Sequence, residues 1–450
     1  MQTIGRYRVA GLLGKGGMGR VYKAVLPVVD KIVALKLLAP HEHMQQLLGS
    51  GRIEALFHAE ARILAGIHHP HVASLIDFDY DQAGRAYFAM EYLCMNLGSL
   101  IGESYDVERP SRCLAPDRAA RYTDQALDGL ARLHHAGIIH RDIKPYNILL
   151  TDDDRVKIID LGLSRLRGET RALPESFKIG TPFYAAPEQE DYPEQADERA
   201  DLYSVGIMLW RMLTGTLPPE FGAPGPPSAL NPLLGGHWDE TLQTAIAADA
   251  DKRFQDGEQM RSAVGRCLAS WRQELEQTCR MPPAGTALPE ADSRKKLRDT
   301  PRKVPRAKAG AFFGLDALCR PLRPVSAHYQ PHTAETVMDS GRRLLWQQGA
   351  SPYPLDWEAA HEFVRQLNAG RFGGVDTWRL PTVDELTALM QPKTLLGDYC
   401  QPVLFDNRKN RLWSSDKKSY TAAWYVDTEL GFVDSQDRSC RFYVRAVAPA

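Results

Sequence analysis

The residues that could do chemistry cluster between 138 and 162. His140-Arg141-Asp142 is followed by Lys144 and Asn147, and a second acid, Asp160, stands before Leu161-Gly162. Two apolar runs, Ile148 to Leu150 and Val156 to Ile159, flank the acidic turn Asp152-Asp153-Asp154, which predicts a β-hairpin. Asn147 and Asp160 lie equally far from the centre of that turn, so pairing brings them to the same end of the hairpin. A carboxylate beside an amide oxygen suits a hard cation such as Mg²⁺. Asp142 and Lys144 sit on the loop that feeds the hairpin and can reach the same metal-bound group. One would accept a proton and the other would offset negative charge.

The elements that must position this cluster begin with Gly14, Gly16 and Gly19, spaced as G-x-G-x-x-G. Arg20 to Val25 behind them reads as a strand, so the glycines cap a hairpin rather than open a helix. Glycine lets backbone amides approach a phosphate closely. Val33-Ala34-Leu35-Lys36 is a strand ending in lysine. Downstream, Ile53, Leu56, Phe57, Ile63, Leu64 and Ile67 recur at helical spacing, and Glu60 falls on their stripe. A carboxylate on a buried face needs a cation, and Lys36 is the candidate. His68-His69-Pro70-His71 has no acidic or cysteine companion and is not read as a metal site.

These motifs resemble those of eukaryotic-like serine/threonine protein kinases over residues 1–275. The resemblance implies a bilobal α+β fold, with an N-lobe over 1–93 and a C-lobe over 94–275. It implies ATP and Mg²⁺ as cofactors and protein serine and threonine hydroxyls as substrates. Asp142, Lys144, Lys36 and Glu60 would be the catalytic set, and Asn147 and Asp160 the metal ligands. Leu13, Gly14, Gly16, Gly19, Val21, Ala34, Lys36, Met90, Glu91 and Leu93 would surround the nucleotide, with Met90 at the back of the pocket and the backbone of 91–93 bonding adenine. Leu161 replaces the usual Phe in a similar apolar slot. Gly180-Thr181-Pro182 and Ala186-Pro187-Glu188 resemble the substrate-docking segment and its anchor, Asp201 the brace of the catalytic loop, and Arg253 the partner of Glu188. Arg141 calls for an anion, so a phosphorylated Thr170 or Ser176 is expected, with Thr181 a third candidate. A dimer through the kinase domain is a further expectation. The rival readings are a pseudokinase scaffold, or a binding protein whose C-terminal module carries the main role.

A net charge of −1 gives no general reason to expect nucleic acid or membrane binding. No apolar run reaches the ~18 residues of a membrane span, and the strand-like run from Tyr7 so near the start leads to the expectation of no signal peptide. Seven scattered cysteines without a C-x-x-C pair predict reduced thiols and a cytoplasmic protein. Residues 276–332, punctuated by proline and rich in lysine and arginine, read as a solvated linker. Beyond it, 333–450 holds Trp346, Trp357, Trp378, Trp413 and Trp424, five of eight tryptophans, which signals either a packed core or an aromatic-lined pocket. Asp356 and Thr382 cap helices, the latter with Glu385 in a capping box. Strands are expected at 412–414, 423–426, 431–433 and 441–447. Trp378-Arg-Leu-Pro-Thr382-x-x-Glu385-Leu386, Trp413-Ser-Ser, Trp424-Tyr-Val and Tyr443-Val-Arg445 resemble the Lcl C-terminal domain family, related to C-type-lectin-like and formylglycine-generating folds. That resemblance implies an α+β lectin-like module that binds an unidentified ligand or protein.

Overall fold

Alternation along six antiparallel strands builds the first layer. The strands run in the spatial order Thr3–Ile4, Tyr7–Lys15, Gly19–Leu26, Lys31–Leu38, Ala86–Glu91 and Leu75–Tyr80. Tyr22, Ala24, Val33, Leu35, Leu37, Tyr87 and Ala89 pack together on one face. Val21 pairs with Lys36, Lys36 with Phe88 and Ala34 with Met90, so these residues share the opposite face. The helix Ser50–Gly66 buries Ile53, Phe57, Glu60, Ala61 and Leu64. Its stripe is therefore apolar apart from one carboxylate.

The computed structural model describes residues 2–104, 107–161, 165–166, 182–191, 194–219, 224–278, 297–323, 327–390, 402 and 404–450. They divide into two units, Met1–Glu274 and Leu275–Ala450. The lower half of the first unit is helical, built on Pro116–His135, Glu198–Thr214, Gly236–Ala245 and Gly257–Thr278. Pro116 starts its helix at a position where the missing N–H costs nothing. Ile148–Leu150 pairs with Val156–Ile158 as expected, and Met95–Asn96 adds a third strand. The acidic turn is anchored rather than merely solvated. Asp154 accepts hydrogen bonds from Tyr122 Oη at 2.7 Å, Arg118 at 3.1 Å and Arg121 at 2.6 Å, which fastens the hairpin to the long helix.

The second unit mixes helices with two antiparallel sheets. One has the order Tyr329–Pro331, Thr336–Asp339, Leu344–Gln347, Val447–Pro449. The other runs Arg411–Lys417, Ala422–Asp427, Phe432–Asp437. Asp356 caps the helix Trp357–Ala369, and Thr382 with Glu385 forms the capping box of Val383–Ala388. All five tryptophans are at most 4% exposed, so they build a core rather than line an open pocket.

Three expectations need correction. Residues 297–323 are not solvated linker: Val304, Ala309 and Leu315 join the core around Trp424. Arg298 grips Asp416 through two bonds of 2.8 Å, and Val304 N–H donates to Lys417 O at 2.8 Å. The basic residues looked self-repelling because their acids, Asp384 and Asp416, lie far along the chain. Second, 441–447 is no continuous strand. Phe442 bridges to Leu355 and Tyr443 to Leu412, and a ladder begins only at Val447, so the stretch changes partners as it goes. Third, Cys113, Cys267 and Cys319 are free thiols, but Cys94 and Cys440 are each disulfide-bonded, a division that scattered spacing does not reveal. Among the described residues no helix is long and apolar enough to cross a membrane.

Candidate active site

Lys36 reaches from the open face of the sheet to two carboxylates. Its Nζ lies 2.7 and 2.9 Å from the two oxygens of Glu60 and 2.9 Å from Asp160 Oδ1. Glu60 is 1% exposed, and burial pushes its carboxyl up to about 6 although Lys36 opposes the shift. Lys36 is also buried, which alone would favour the neutral amine. Asp160 and Glu60 outweigh burial and raise it, so it stays charged. Lys36 in turn holds the Asp160 carboxyl down at about 2. The Asp160 side chain remains 45% exposed.

Asp142 Oδ2 accepts from Lys144 Nζ at 2.8 Å and from Asn147 Nδ2 at 2.9 Å. Asn147 Nδ2 also donates to Asp142 O at 2.8 Å. Both amide protons thus point at Asp142, which leaves the Asn147 oxygen as an acceptor. Ile159 N–H donates to Asn147 O at 3.0 Å, so hairpin pairing brings Asn147 and the Asp160 strand end together. Asp160 spends one carboxylate oxygen on Lys36. An amide oxygen and a carboxylate oxygen at one hairpin end suit a hard cation, so the residues present fit Mg²⁺.

The loop carrying Asp142 is held from below. Asp201, fully buried, accepts the backbone N–H of His140 at 2.9 Å and of Arg141 at 2.7 Å, and meets His134 Nε2 at 2.8 Å. These bonds hold Arg141 at a left-handed φ of 65°. Arg253 grips Glu188 with bonds of 2.6 and 2.8 Å. Gln189 Nε2 donates to Arg141 O at 2.9 Å. His134 and Gln189 were not singled out from sequence, because a lone polar residue on a helix gives no signal of a distant partner.

Across the cleft, Gly16 N–H donates to Gly19 O at 2.9 Å in the turn of the glycine hairpin. A Cβ on Gly19 would stand 2.3 Å from Leu37 O, so only glycine fits there. Val21, Ala34 and Met90 share the Lys36 face of the sheet, and Leu13 lies near its edge, about half exposed. Glu91 adds a bond that sequence reasoning missed. Its carboxylate meets Lys157 at 2.9 Å and accepts Ser74 N–H at 3.1 Å, tying the strand that leads to Leu93 to the catalytic hairpin. Leu161 is buried, whereas Gly162, Thr170, Ser176 and Thr181 lie outside the described residues.

A lysine–glutamate pair under a glycine hairpin, facing an aspartate loop braced from a buried helix, defines a protein kinase domain. Residues 7–223 match the protein kinase domain family and 335–448 the Lcl C-terminal domain family. The chain is 37% identical to serine/threonine-protein kinase pkn3 of Myxococcus xanthus over 48% of its own length and 39% of that protein's. It is 34% identical to a probable serine/threonine-protein kinase of Streptomyces coelicolor, over 59% and 40% of the two chains. With serine/threonine-protein kinase PknA of Mycobacterium tuberculosis it shares 30% identity over 77% of this chain and 78% of that one. The solved kinase domain of Mycobacterium tuberculosis PknI aligns with a TM-score of 0.46 and 23% identity, over 59% of this chain and 97% of that one. The chain belongs to the bacterial serine/threonine-protein kinase family and carries an Lcl C-terminal domain. It spans only 39% and 40% of the first two relatives.

Proposed function

We propose that the chain transfers the γ-phosphoryl group of ATP to serine and threonine hydroxyls of proteins. The observation that carries this reading is the assembled Lys36 contact, 2.7 Å from Glu60 and 2.9 Å from Asp160, beside an Asp142 that faces Lys144 and Asn147. Lys36, held by Glu60, positions the α- and β-phosphates. Asp142 orients the substrate hydroxyl and takes its proton as the oxygen–phosphorus bond forms and the bond from the γ-phosphorus to the β,γ-bridging oxygen breaks, releasing ADP. Lys144 offsets charge on the transferred group. Asn147 and Asp160 would hold Mg²⁺, which supplies charge neutralisation across the phosphates. The pseudokinase alternative loses ground because Lys36, Glu60, Asp142, Asn147 and Asp160 are all present, with Lys36 bonded to Glu60 and Asp160 and Asn147 bonded to Asp142. The activation segment is proposed as the chain's own target, at Thr170, Ser176 or Thr181, and the C-terminal unit as a binding module for a ligand or protein.

Incubation with labelled ATP and Mg²⁺, with Asp142→Asn in parallel, decides the matter. Incorporation by wild type that falls about 100-fold or more in the variant is expected for a lost base. Equal incorporation by both proteins would overturn the assignment of Asp142, and none by either would overturn the activity.

A further inference from the structure

Glu103 is a buried carboxylate that the proposed chemistry does not use. It follows the short helix Leu97–Ile101, where Gly102 takes a left-handed φ of 73° and Glu103 N–H bonds back to Gly98 O at 2.9 Å. Its side chain is 2% exposed. Oε1 accepts the Tyr184 hydroxyl at 3.0 Å, and the backbone carbonyl accepts the Tyr146 hydroxyl at 2.7 Å. Tyr146 stands between Lys144 and Asn147 in sequence, and Tyr184 lies three residues beyond Thr181. One residue therefore ties the catalytic loop to the segment that leaves Thr181.

The network is not built for stability. Glu103 Oε2 and Arg211 Nε find no hydrogen-bond partner among the described residues, and the Arg211 guanidinium stands 3.6 Å from Glu103 Oε1 with no exposure at all. Burial raises the Glu103 carboxyl against the opposing Arg211 charge. A half-satisfied buried pair is commonly no better than an apolar replacement, so its presence points to positioning. The segment it holds is under strain. Phe183, 38% exposed, has φ of 73°, a region costly to a side chain with a Cβ. Its neighbour Tyr184 is pinned at both ends, the hydroxyl on Glu103 and the carbonyl accepting Ser204 Oγ at 2.8 Å.

We propose that Glu103 is a positioning residue for the protein substrate, fixing segment 182–186 in register with Asp142 and Lys144 so that the acceptor hydroxyl is presented to the catalytic loop. This rests on the kinase reading. Glu103→Leu, which removes the acceptor, Tyr184→Phe and the double variant of the full chain would be assayed with the best Ser/Thr peptide that wild type selects from a degenerate library. The KM for peptide should rise roughly tenfold in each single variant, the scale of a lost bond to a charged group. The kcat and the KM for ATP should stay within about twofold, and the double variant should be no worse than either single, since both remove one contact. Unchanged peptide KM, or a parallel loss of ATP affinity and melting temperature, would overturn the inference. Absence of transfer by wild type to any peptide would instead overturn the kinase reading itself, and the inference with it.

Discussion

Asp201→Asn isolates what holds the catalytic loop. The wild-type carboxylate accepts two backbone N–H groups, at 2.7 and 2.9 Å, and meets His134 at 2.8 Å, in a site with no solvent exposure. Burial alone would raise this carboxyl, yet the His134 and His140 contacts hold it below the usual range, so it is charged at neutral pH. An amide has nearly the same shape but only one acceptor oxygen. Either the His140 or the Arg141 N–H must then face an NH₂ group. Losing one charge-assisted bond costs about 1.5–3 kcal/mol, and leaving its buried donor unpaired belongs to the same scale, so the local cost is about 3 kcal/mol. Because the chain has two units, global unfolding is a poor readout. Amide hydrogen exchange at His140 and Arg141 is the direct one, and it should accelerate roughly a hundredfold or more. Phosphoryl transfer should fall with it, because Arg141 relaxing from its left-handed conformation displaces Asp142. Unchanged exchange at those two amides, with the melting temperature preserved, would refute the account of the brace.

Three further outcomes are expected. Burial places the Glu60 carboxyl near 6, so kcat/KM should decline as pH drops through that value and protonation weakens the grip on Lys36, while Glu60→Gln should give a low profile without that limb. The stability linkage has the opposite sign: this group's folded value lies above its ordinary 4.5, so its contribution diminishes as pH rises from 4.5 to about 6, whereas Asp160, held at about 2 against an ordinary 3.8, adds stability above 3.8 that is lost as pH falls toward 2. Arg298→Ala should cost the C-terminal unit about 3 kcal/mol or more by stranding Asp416, which is fully buried; tryptophan fluorescence in urea would show it, and an unshifted midpoint would sink the idea that 297–304 is part of the fold. Alkylation in denaturant without reductant should label Cys113, Cys267 and Cys319 but spare Cys94 and Cys440 until reduction, and first-round labelling of either would disprove its disulfide.

What could be read from sequence and what could not divide along a physical line. The hairpin of 148–158 was legible because strand alternation and turn chemistry are local, and Glu60 was legible because a charge on an apolar stripe has few explanations. The capping box at Thr382 and Glu385 lies within four residues and was read for the same reason. Arg298, Glu91, His134 and Glu103 were missed or misread, and each is a polar residue whose partner is distant: Asp416, Lys157, Asp201 and Tyr184. A lysine- and arginine-rich segment with prolines has the composition of a linker whether or not acids await it. In 297–323 the deciding contacts are Asp384 and Asp416, about a hundred residues further on, and a groove beside Trp424 that exists only once the sheets have packed.

The same division bears on how the site works. The catalytic side chains announce themselves by spacing, since a loop must place them within a few residues of one another. The groups that hold such elements still do not, because bracing gains leverage from elements remote in sequence: Asp201, expected only through the family resemblance, comes from a helix sixty-one residues beyond His140, and Tyr184 is tied to Glu103 across eighty-one. Such contacts are buried and charged, and a buried charge is stable only while every partner stays in place. Displacing one partner therefore withdraws support from Asp142 without touching it. The position where this chain's catalytic competence can be set from outside the cleft is thus the distant anchor Asp201, and the position that sets substrate docking is Glu103, rather than the motif residues beside them.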